Sequence, residues 1–498
     1  MYPAAVTLML LGATALTING RVTGLTRRGW ITLLLLAGFT AWSYATILWS
    51  EVDGDAWDGA NRGLLYLAIF SLFVVLPWRL EPAAWILGAF GIAVAGLGIG
   101  SLWQAAAAAD PSDFFQLGRF AQPMNYQNAN SALFMIAFWP LVFLASRRRA
   151  PVLARGIAAT AAASLPQLAL LGQSRAWLVA APVSALFYLA VVPQRGRSLV
   201  FLVPPVVATA ATWNAGLSVF TTFRSGEDAA AAVDASLRGI VIWSLLAGTA
   251  TILMAWVDWS VNVAPNRRRT VNALLAAIAA TTAVAVLGVL GSRVEHPVDR
   301  VVDAWEEFKT PPQAVTGSYF SLGFGSNRYD LWRVAATQIA SAPLVGVGVD
   351  NFAVDYLRER RTAEEPSYPH SFELRVLAQT GIVGAILLLS FGIAAAAALV
   401  PLRSRSRSAR GLAAAALVSA FYWLLHGSVD WFWEIPPLGA TAFAFLGLAI
   451  SLSGRRLQRR KTLARPATAG VLVAAAIGLV SLVFPLASCP AHRGCERG

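Results

Sequence analysis

The chain has 498 residues, of which 57% are hydrophobic and only 13% are charged, and its mean hydropathy is +0.60. This balance excludes an ordinary soluble globular protein. The formal net charge of +13 would suit a nucleic-acid partner, but its distribution along the chain, described below, argues against one.

Apolar windows of the length that crosses a bilayer as a helix, about 17–25 residues, recur along the whole chain. The first window lacks a basic leader and a cleavage site, so we expect a retained span and not a signal peptide. The sequence therefore predicts an all-α polytopic membrane protein with about 14 transmembrane helices, or 12 if two windows are re-entrant. The windows are 3–19, 30–49, 63–78, 83–104, 129–146, 151–172, 176–193, 198–215, 239–257, 270–290, 377–402, 411–426, 436–454 and 467–487.

Basic residues cluster in alternate loops between these windows. The clustered loops hold 23 of the 39 lysine and arginine residues but only two of the 26 acidic ones. The positive-inside rule makes them cytoplasmic, so both termini face outward and the high pI reports topology, not nucleic-acid binding. The clusters are Arg21/Arg27/Arg28, Arg79, Arg147/Arg148/Arg149/Arg155, Arg195/Arg197, Arg267/Arg268/Arg269, Arg403/Arg405/Arg407/Arg410 and Arg455/Arg456/Arg459/Arg460/Lys461/Arg465.

One large extracytoplasmic loop divides the chain. We expect an N-terminal bundle of about ten spans over 1–290, the outer loop or lid over 291–376, and a C-terminal bundle of about four spans with a short tail over 377–498. Within the loop, 327–343 and 351–365 have the apolar spacing of short helices. Between them, "GVGVDNF" predicts a tight turn in which Gly346 and Gly348 lead into the second helix.

The four histidines, His296, His370, His426 and His492, all lie on the predicted outer side. They are far apart in sequence, and no His or Cys pair has the spacing of metal ligands, so we predict no metal site and no cofactor. Cys489 and Cys495 also lie on the predicted outer side. The sequence leaves two alternatives for them, a disulfide or two free thiols.

Five stretches of this outer side, "NRYDLW", "PLVGVGVDNF", "PHSFELRVLAQTGIVG", "GQSRAW" and "LLHGSVDWFWEIP", resemble motifs of the O-antigen ligase and O-antigen polymerase superfamily. "NRYDLW", "PLVGVGVDNF" and "PHSFELRVLAQTGIVG" resemble its loop motifs, with Ser371 where Asn is frequent. "GQSRAW" resembles its Ser-Arg at an outer span end, and "LLHGSVDWFWEIP" its His-x-x-x-Asp stretch. The matching residues are Arg328, Gly346, Gly348, His370, Leu374, Gly381, Gly384, Ser174, Arg175, His426 and Asp430.

The resemblance implies glycosyl transfer from an undecaprenyl-diphosphate-linked glycan to a lipid or glycan acceptor, at the outer face of the cytoplasmic membrane and without metal. Arg175 and Arg328 are the expected diphosphate ligands, because a guanidinium forms a planar, charged, bidentate fork. His370 is the expected base for the acceptor hydroxyl, because the unperturbed pKa of a histidine lies near neutral pH. We therefore assign His370, Arg175 and Arg328 to catalysis, and Ser174, His426, Asp430, Gly346 and Gly348 to substrate binding.

Several of these residues have plain structural alternatives. Arg175 could snorkel from a span end, and Arg328 could pair within the loop. His426 and Asp430, four residues apart, would share a helical face, where they could orient substrate or form a structural pair.

Alternative functions also remain open: a polymerase of the same superfamily, a lipid-linked glycan transporter, or an envelope scaffold. Almost no charge falls inside the predicted windows, which argues against a transporter. A scaffold would leave the arginine and histidine constellation unexplained.

Overall fold

The structure, a computed structural model, describes residues 25–76, 78–260, 297–310, 328–362 and 365–454. Most of these residues are helical, and they include one two-stranded antiparallel hairpin, in which β1 (Phe115–Gln116) pairs with β2 (Arg119–Phe120). The helices are α1 Arg27–Ala45, α2 Asp53–Val75, α3 Leu80–Ala107, α4 Gln127–Ser146, α5 Val152–Leu171, α6 Arg175–Val191, α7 Arg195–Ala211, α8 Trp213–Ser225, α9 Ala230–Ser260, α10 Pro297–Lys309, α11 Arg328–Ser341, α12 Phe352–Glu359, α13 Phe372–Leu399, α14 Arg407–Gly427 and α15 Pro436–Ser453.

The predicted windows that fall on described residues lie mainly on helices, and the window 198–215 is divided between α7 and α8. Nine helical segments there are long and apolar enough to cross a membrane. The windows at 151–172 and 176–193 form α5, of 20 residues, and α6, of 17 residues, which fall outside those nine. The windows 3–19, 270–290 and 467–487 lie outside the described residues. The class of polytopic α-helical membrane protein is thus confirmed, and the count of fourteen stays a prediction.

Helix α4 is the centre of the bundle, since 94% of its most apolar window is buried. It packs against α3, α5 and α14. Two glycines allow close approach: a Cβ on Gly91 would lie 2.5 Å from Leu141, and one on Gly411 would lie 2.4 Å from Phe143. Small residues at such contacts are characteristic of helix packing in membranes, where apolar burial alone gives little drive for association.

The two ends of the bundle differ in charge. At one end, Ser174 contacts His426, and α4 begins next to the β1–β2 hairpin. At the opposite end, Arg155 pairs with Asp258, and the basic clusters around Arg149 and Arg405 connect successive helices. Every candidate site residue described below lies at the end away from these clusters, as the positive-inside alternation predicts.

Helices α10–α12 belong to the predicted outer loop, where α11 packs on α12 and α13. The predicted turn forms between α11 and α12, with φ of +73° at Gly346 and +106° at Gly348. A Cβ on Gly346 would lie 2.4 Å from the backbone of Gln379, where α13 is kinked at Gly381. The proposed boundaries 1–290, 291–376 and 377–498 stay a prediction.

Candidate functional site

His370 lies immediately before the N-terminus of α13. The helix begins there because the Ser371 hydroxyl accepts a hydrogen bond from the Leu374 N–H, 3.4 Å away. His370 itself has a left-handed φ of +51°, which is uncommon for a residue with a side chain. Its Nδ1 lies 3.1 Å from the Tyr368 carbonyl oxygen. Since a carbonyl only accepts, Nδ1 carries the hydrogen and Nε2 holds the lone pair of the neutral ring.

Asp430 is completely buried at the same end of the bundle and has partners from two segments, the start of α4 and the start of α11. The Tyr126 hydroxyl donates to Oδ1 at 2.9 Å, and the Asn128 side-chain amide donates to Oδ2 at 2.8 Å. The guanidinium of Arg328, at the start of α11, lies 3.7 Å from Oδ2. Arg119 completes the group by donating to the side-chain oxygen Oδ1 of Asn128 at 2.7 Å, which orients the side-chain amide toward Asp430.

An aromatic stack connects Asp430 to His370. The Trp431 ring packs between Tyr126, with centroids 5.0 Å apart, and Tyr368, at 5.5 Å and 19° between the planes. The His370 ring lies 6.2 Å from the Trp431 ring. Burial raises the pKa of Tyr368 to about 12, and burial and the Asp430 charge raise the pKa of Tyr126 well above its usual range, so both phenols stay neutral at physiological pH.

His426 is also fully buried, but its partners differ from the predicted one. Its Nε2 lies 3.3 Å from the Ser174 hydroxyl and its Nδ1 lies 3.0 Å from the Tyr422 hydroxyl. The prediction that His426 and Asp430 share a helical face is wrong, because α14 ends at Gly427. A turn follows in which the Val429 N–H donates to the His426 carbonyl, and this turn directs Asp430 toward Tyr126.

Arg175 is the first residue of α6 and follows Ser174 directly. Its side chain is half-buried, and the Ser174–His426 contact ties this helix start to α14. Gly346 and Gly348 lie instead in the turn between α11 and α12. A Cβ on Gly346 would meet the backbone of α13, and a Cβ on Gly348 would lie 2.2 Å from the hydroxyl of Ser50, which follows α1. Close packing thus accounts for glycine at both positions, and their assignment to substrate binding stays a prediction.

A chain of four buried charges beside this site was missed by sequence reasoning. Arg62 donates to Asp350 at 2.7 Å, Asp350 accepts from Arg375 at 2.8 Å, and Arg375 also donates to Glu434. The expectation of almost no charge inside the spans is therefore wrong for Arg62, because α2 begins at Asp53 and includes it. No local pattern could reveal this group, since 288 residues separate Arg62 from Asp350.

One family model matches the chain: residues 229–389 match the model described as O-Antigen ligase. The matched residues include Arg328, His370 and the glycine turn. No curated protein matches the chain.

The matched residues do not include every residue of the site. Ser174, Arg175, His426 and Asp430 lie outside the matched residues and come to the site from α6, α14 and the turn after it. Arg328, at the start of α11, lies within the matched residues. It therefore pairs with a residue outside them, Asp430. The resemblance to the O-antigen ligase and polymerase superfamily is confirmed, and the individual roles of these side chains remain proposals.

Within the described ranges, no three His, Cys, Asp or Glu side chains converge in a way that could hold a metal ion. Metal independence stays a prediction, tested below by chelation. His296, His492, Cys489 and Cys495 lie outside the described residues.

Proposed function

We propose that this membrane protein is a glycosyltransferase that moves a glycan from a polyprenyl-diphosphate-linked donor to an acceptor hydroxyl at the outer face of the membrane. The observation that carries the proposal is that Arg328 and His370 both lie next to the segment that contains Asp430 and Trp431. Arg328 pairs with Asp430, and the His370 ring lies beside the Trp431 ring. A phosphate ligand and a proton acceptor, the two groups that this reaction needs, thereby come together at one end of the bundle.

Arg328 suits the role of a diphosphate ligand. Its side chain is 24% exposed, whereas the Asp430 side chain beside it is fully buried. The carboxylate therefore orients the guanidinium from within the protein, and the exposed part can bind the donor through charge-assisted hydrogen bonds. Arg175, half-buried at the first turn of α6, would supply a second guanidinium, and the N-terminus of that helix adds a favourable field for an anion.

His370 suits the role of the base. Because Nδ1 carries the hydrogen toward Tyr368, Nε2 is the atom that accepts the proton of the acceptor hydroxyl. As the hydroxyl oxygen bonds to the anomeric carbon, the bond from that carbon to the diphosphate breaks and its electron pair stays on the diphosphate. The arginines stabilise this growing negative charge, and His370 leaves the step as an imidazolium.

A polymerase would use the same site with a different acceptor. A ligase transfers a finished glycan to a lipid or protein, whereas a polymerase joins repeat units. The buried charges, Arg62 among them, weaken the sequence-based argument against a transporter. They form one compact group, however, whereas a transporter is expected to carry charges in broken helices of two related halves.

Reconstitution separates these functions. The purified protein would be placed in liposomes with a polyprenyl-diphosphate oligosaccharide and a lipid acceptor. We expect the oligosaccharide to appear on the acceptor and free polyprenyl diphosphate to accumulate in equal amount. Movement of intact donor between leaflets would contradict the proposal and indicate a transporter, and neither event would indicate a scaffold. Elongation of the donor-linked glycan would identify a polymerase.

A further inference from the structure

The chain of four charges, Arg62–Asp350–Arg375–Glu434, runs beneath the segment that carries His370. Each member comes from a different part of the fold: α2, the glycine turn, α13 and the loop between α14 and α15. The exposed fractions are 4%, 7%, 2% and 6% in that order. Positive and negative side chains alternate from Arg62 to Glu434, two of each sign, so the group of four is electrically balanced as a whole.

Burial makes this group sensitive to the loss of any member. Removing one charge of a buried pair leaves its partner uncompensated in a low-dielectric environment, whereas apolar residues of similar volume could fill the same space at less cost. Stability alone is therefore a weak reason for two arginines and two acids here. Buried ionic groups can instead favour one arrangement of the elements that they join.

The elements joined here are those that position His370. Arg375 lies in the second turn of α13, five residues after His370, and is held on one side by Asp350 and on the other by Glu434. A second tie lies in the first turn, where the Ser428 hydroxyl donates to Glu373 at 2.7 Å. Both Glu434 and Ser428 flank the segment with Asp430 and Trp431, so the start of α13 is fixed to the other half of the site.

Asp350 is the member at which the ties from α2 and α13 meet. Its two carboxylate oxygens accept from Arg62 and Arg375 separately, and its N–H donates to the Gln379 side chain at 3.0 Å. Its φ of +58° is left-handed, which requires support from its surroundings. The same four charges act on the phenol of Tyr368, whose carbonyl oxygen lies beside Nδ1 of His370.

We infer that Arg62, Asp350, Arg375 and Glu434 are positioning residues that hold the Tyr368–His370 turn where Nε2 can reach the acceptor hydroxyl. The inference rests on the proposed function, since it presumes that His370 is the base. It assigns no contact with substrate to the four side chains. Their effect on the reaction passes through the geometry of His370, and small displacements of a reacting group are costly in rate.

Arg62 offers the clearest test because it lies at one end of the chain of charges and away from His370 in sequence. Arg62→Met keeps the length of the side chain and removes the charge. We expect kcat per folded molecule to fall by about 10- to 100-fold, with the Kd for the lipid-diphosphate donor changed less than about twofold, because the donor-binding arginines are untouched. Arg62→Lys, which keeps the charge, should recover part of kcat. Arg155→Met is the matched control, since Arg155 is equally buried and paired with Asp258 at the opposite end of the bundle.

A purely structural role would give a different pattern. If Arg62 acts through His370, Arg62→Met should cause no further loss of kcat in a His370→Ala background. Unchanged kcat in Arg62→Met, an equal loss in Arg155→Met, or the same fold loss with and without His370 would each overturn the inference. Wild-type protein without transfer activity would overturn the proposed function itself, and this inference would fall with it.

A second variant keeps the test open if Arg62→Met does not fold. Arg62→Met combined with Asp350→Asn removes one charge of each sign and leaves Arg375 paired with Glu434, so the buried charge stays balanced. We expect this double variant to fold, to bind donor normally and to show the same loss of kcat. Normal kcat in the folded double variant would overturn the inference.

Discussion

Arg328 and Asp430 meet although one begins a helix of the outer loop and the other follows a helix of the C-terminal bundle. The guanidinium lies 3.7 Å from a carboxylate that also accepts from Tyr126 and Asn128. Because that carboxylate is fully buried and held by two neutral donors, it is a fixed counter-charge. The cation that we assign to the donor diphosphate is thereby oriented from the protein side.

This pairing predicts that the two residues act on donor binding together. Arg328→Ala should raise the Kd for the lipid-diphosphate donor at least about tenfold, as loss of a charge-assisted contact would. Asp430→Asn should raise it less, and the two changes should be non-additive in the double variant, since contacting residues are coupled. Binding is measured by titration of donor into protein in nanodiscs. Fully additive effects would contradict the pairing.

Arg175 should depend on the shape of its charged group and not on charge alone. Arg175→Lys keeps the charge but loses the planar fork, so we expect weaker donor binding, a lower kcat, or both. Arg403→Lys, at an exposed position between α13 and α14, is the matched control and should leave both constants unchanged. Wild-type constants for Arg175→Lys would show that the fork is not used.

The reaction should not require a divalent cation, because arginines supply the positive charge that stabilises the leaving diphosphate. We expect full transfer activity after treatment with EDTA and dialysis. Loss of activity that Mg²⁺ or Mn²⁺ alone restores would refute the prediction and direct attention to acids of the site such as Asp430.

Much of the fold could be predicted because bilayer thickness imposes a length and an apolar composition on each span. The glycine turn was also predictable, since the requirement for a positive φ is local. Helix α2 shows where this reasoning fails. It begins about ten residues before the apolar window 63–78 and includes Arg62, which is buried and paired with Asp350.

The candidate site was predictable by residue type but not by pairing. Arg328, His370 and Asp430 were identified, whereas Tyr126, Asn128, Arg119 and the four-charge chain were not. These side chains act through partners that are distant in sequence; 302 residues separate Asn128 from Asp430. The expected helical pair of His426 and Asp430 failed for a local reason, since the chain turns after Gly427 and Ser174 binds His426 instead.

The orientation of the bundle is tested by thiol labelling in intact cells, with Cys489 and Cys495 first changed to serine. Cysteines at the exposed positions Asp55 and Ser112 should react with a membrane-impermeant reagent, because both lie at the end that carries the site. Cysteines at Arg149 and Ser404 should react only after the cells are opened. Labelling of the second pair in intact cells would reverse the assigned sides.

The role of His370 is the central claim, and transfer by His370→Ala measures it most directly. The variant should be made in normal amount, because His370 is half-buried at a turn and does not pack within the helices. We expect its transfer rate to fall by about 10²- to 10⁴-fold, the usual range for loss of a general base, while the donor still binds with nearly wild-type affinity. Normal transfer by well-folded His370→Ala would contradict the account.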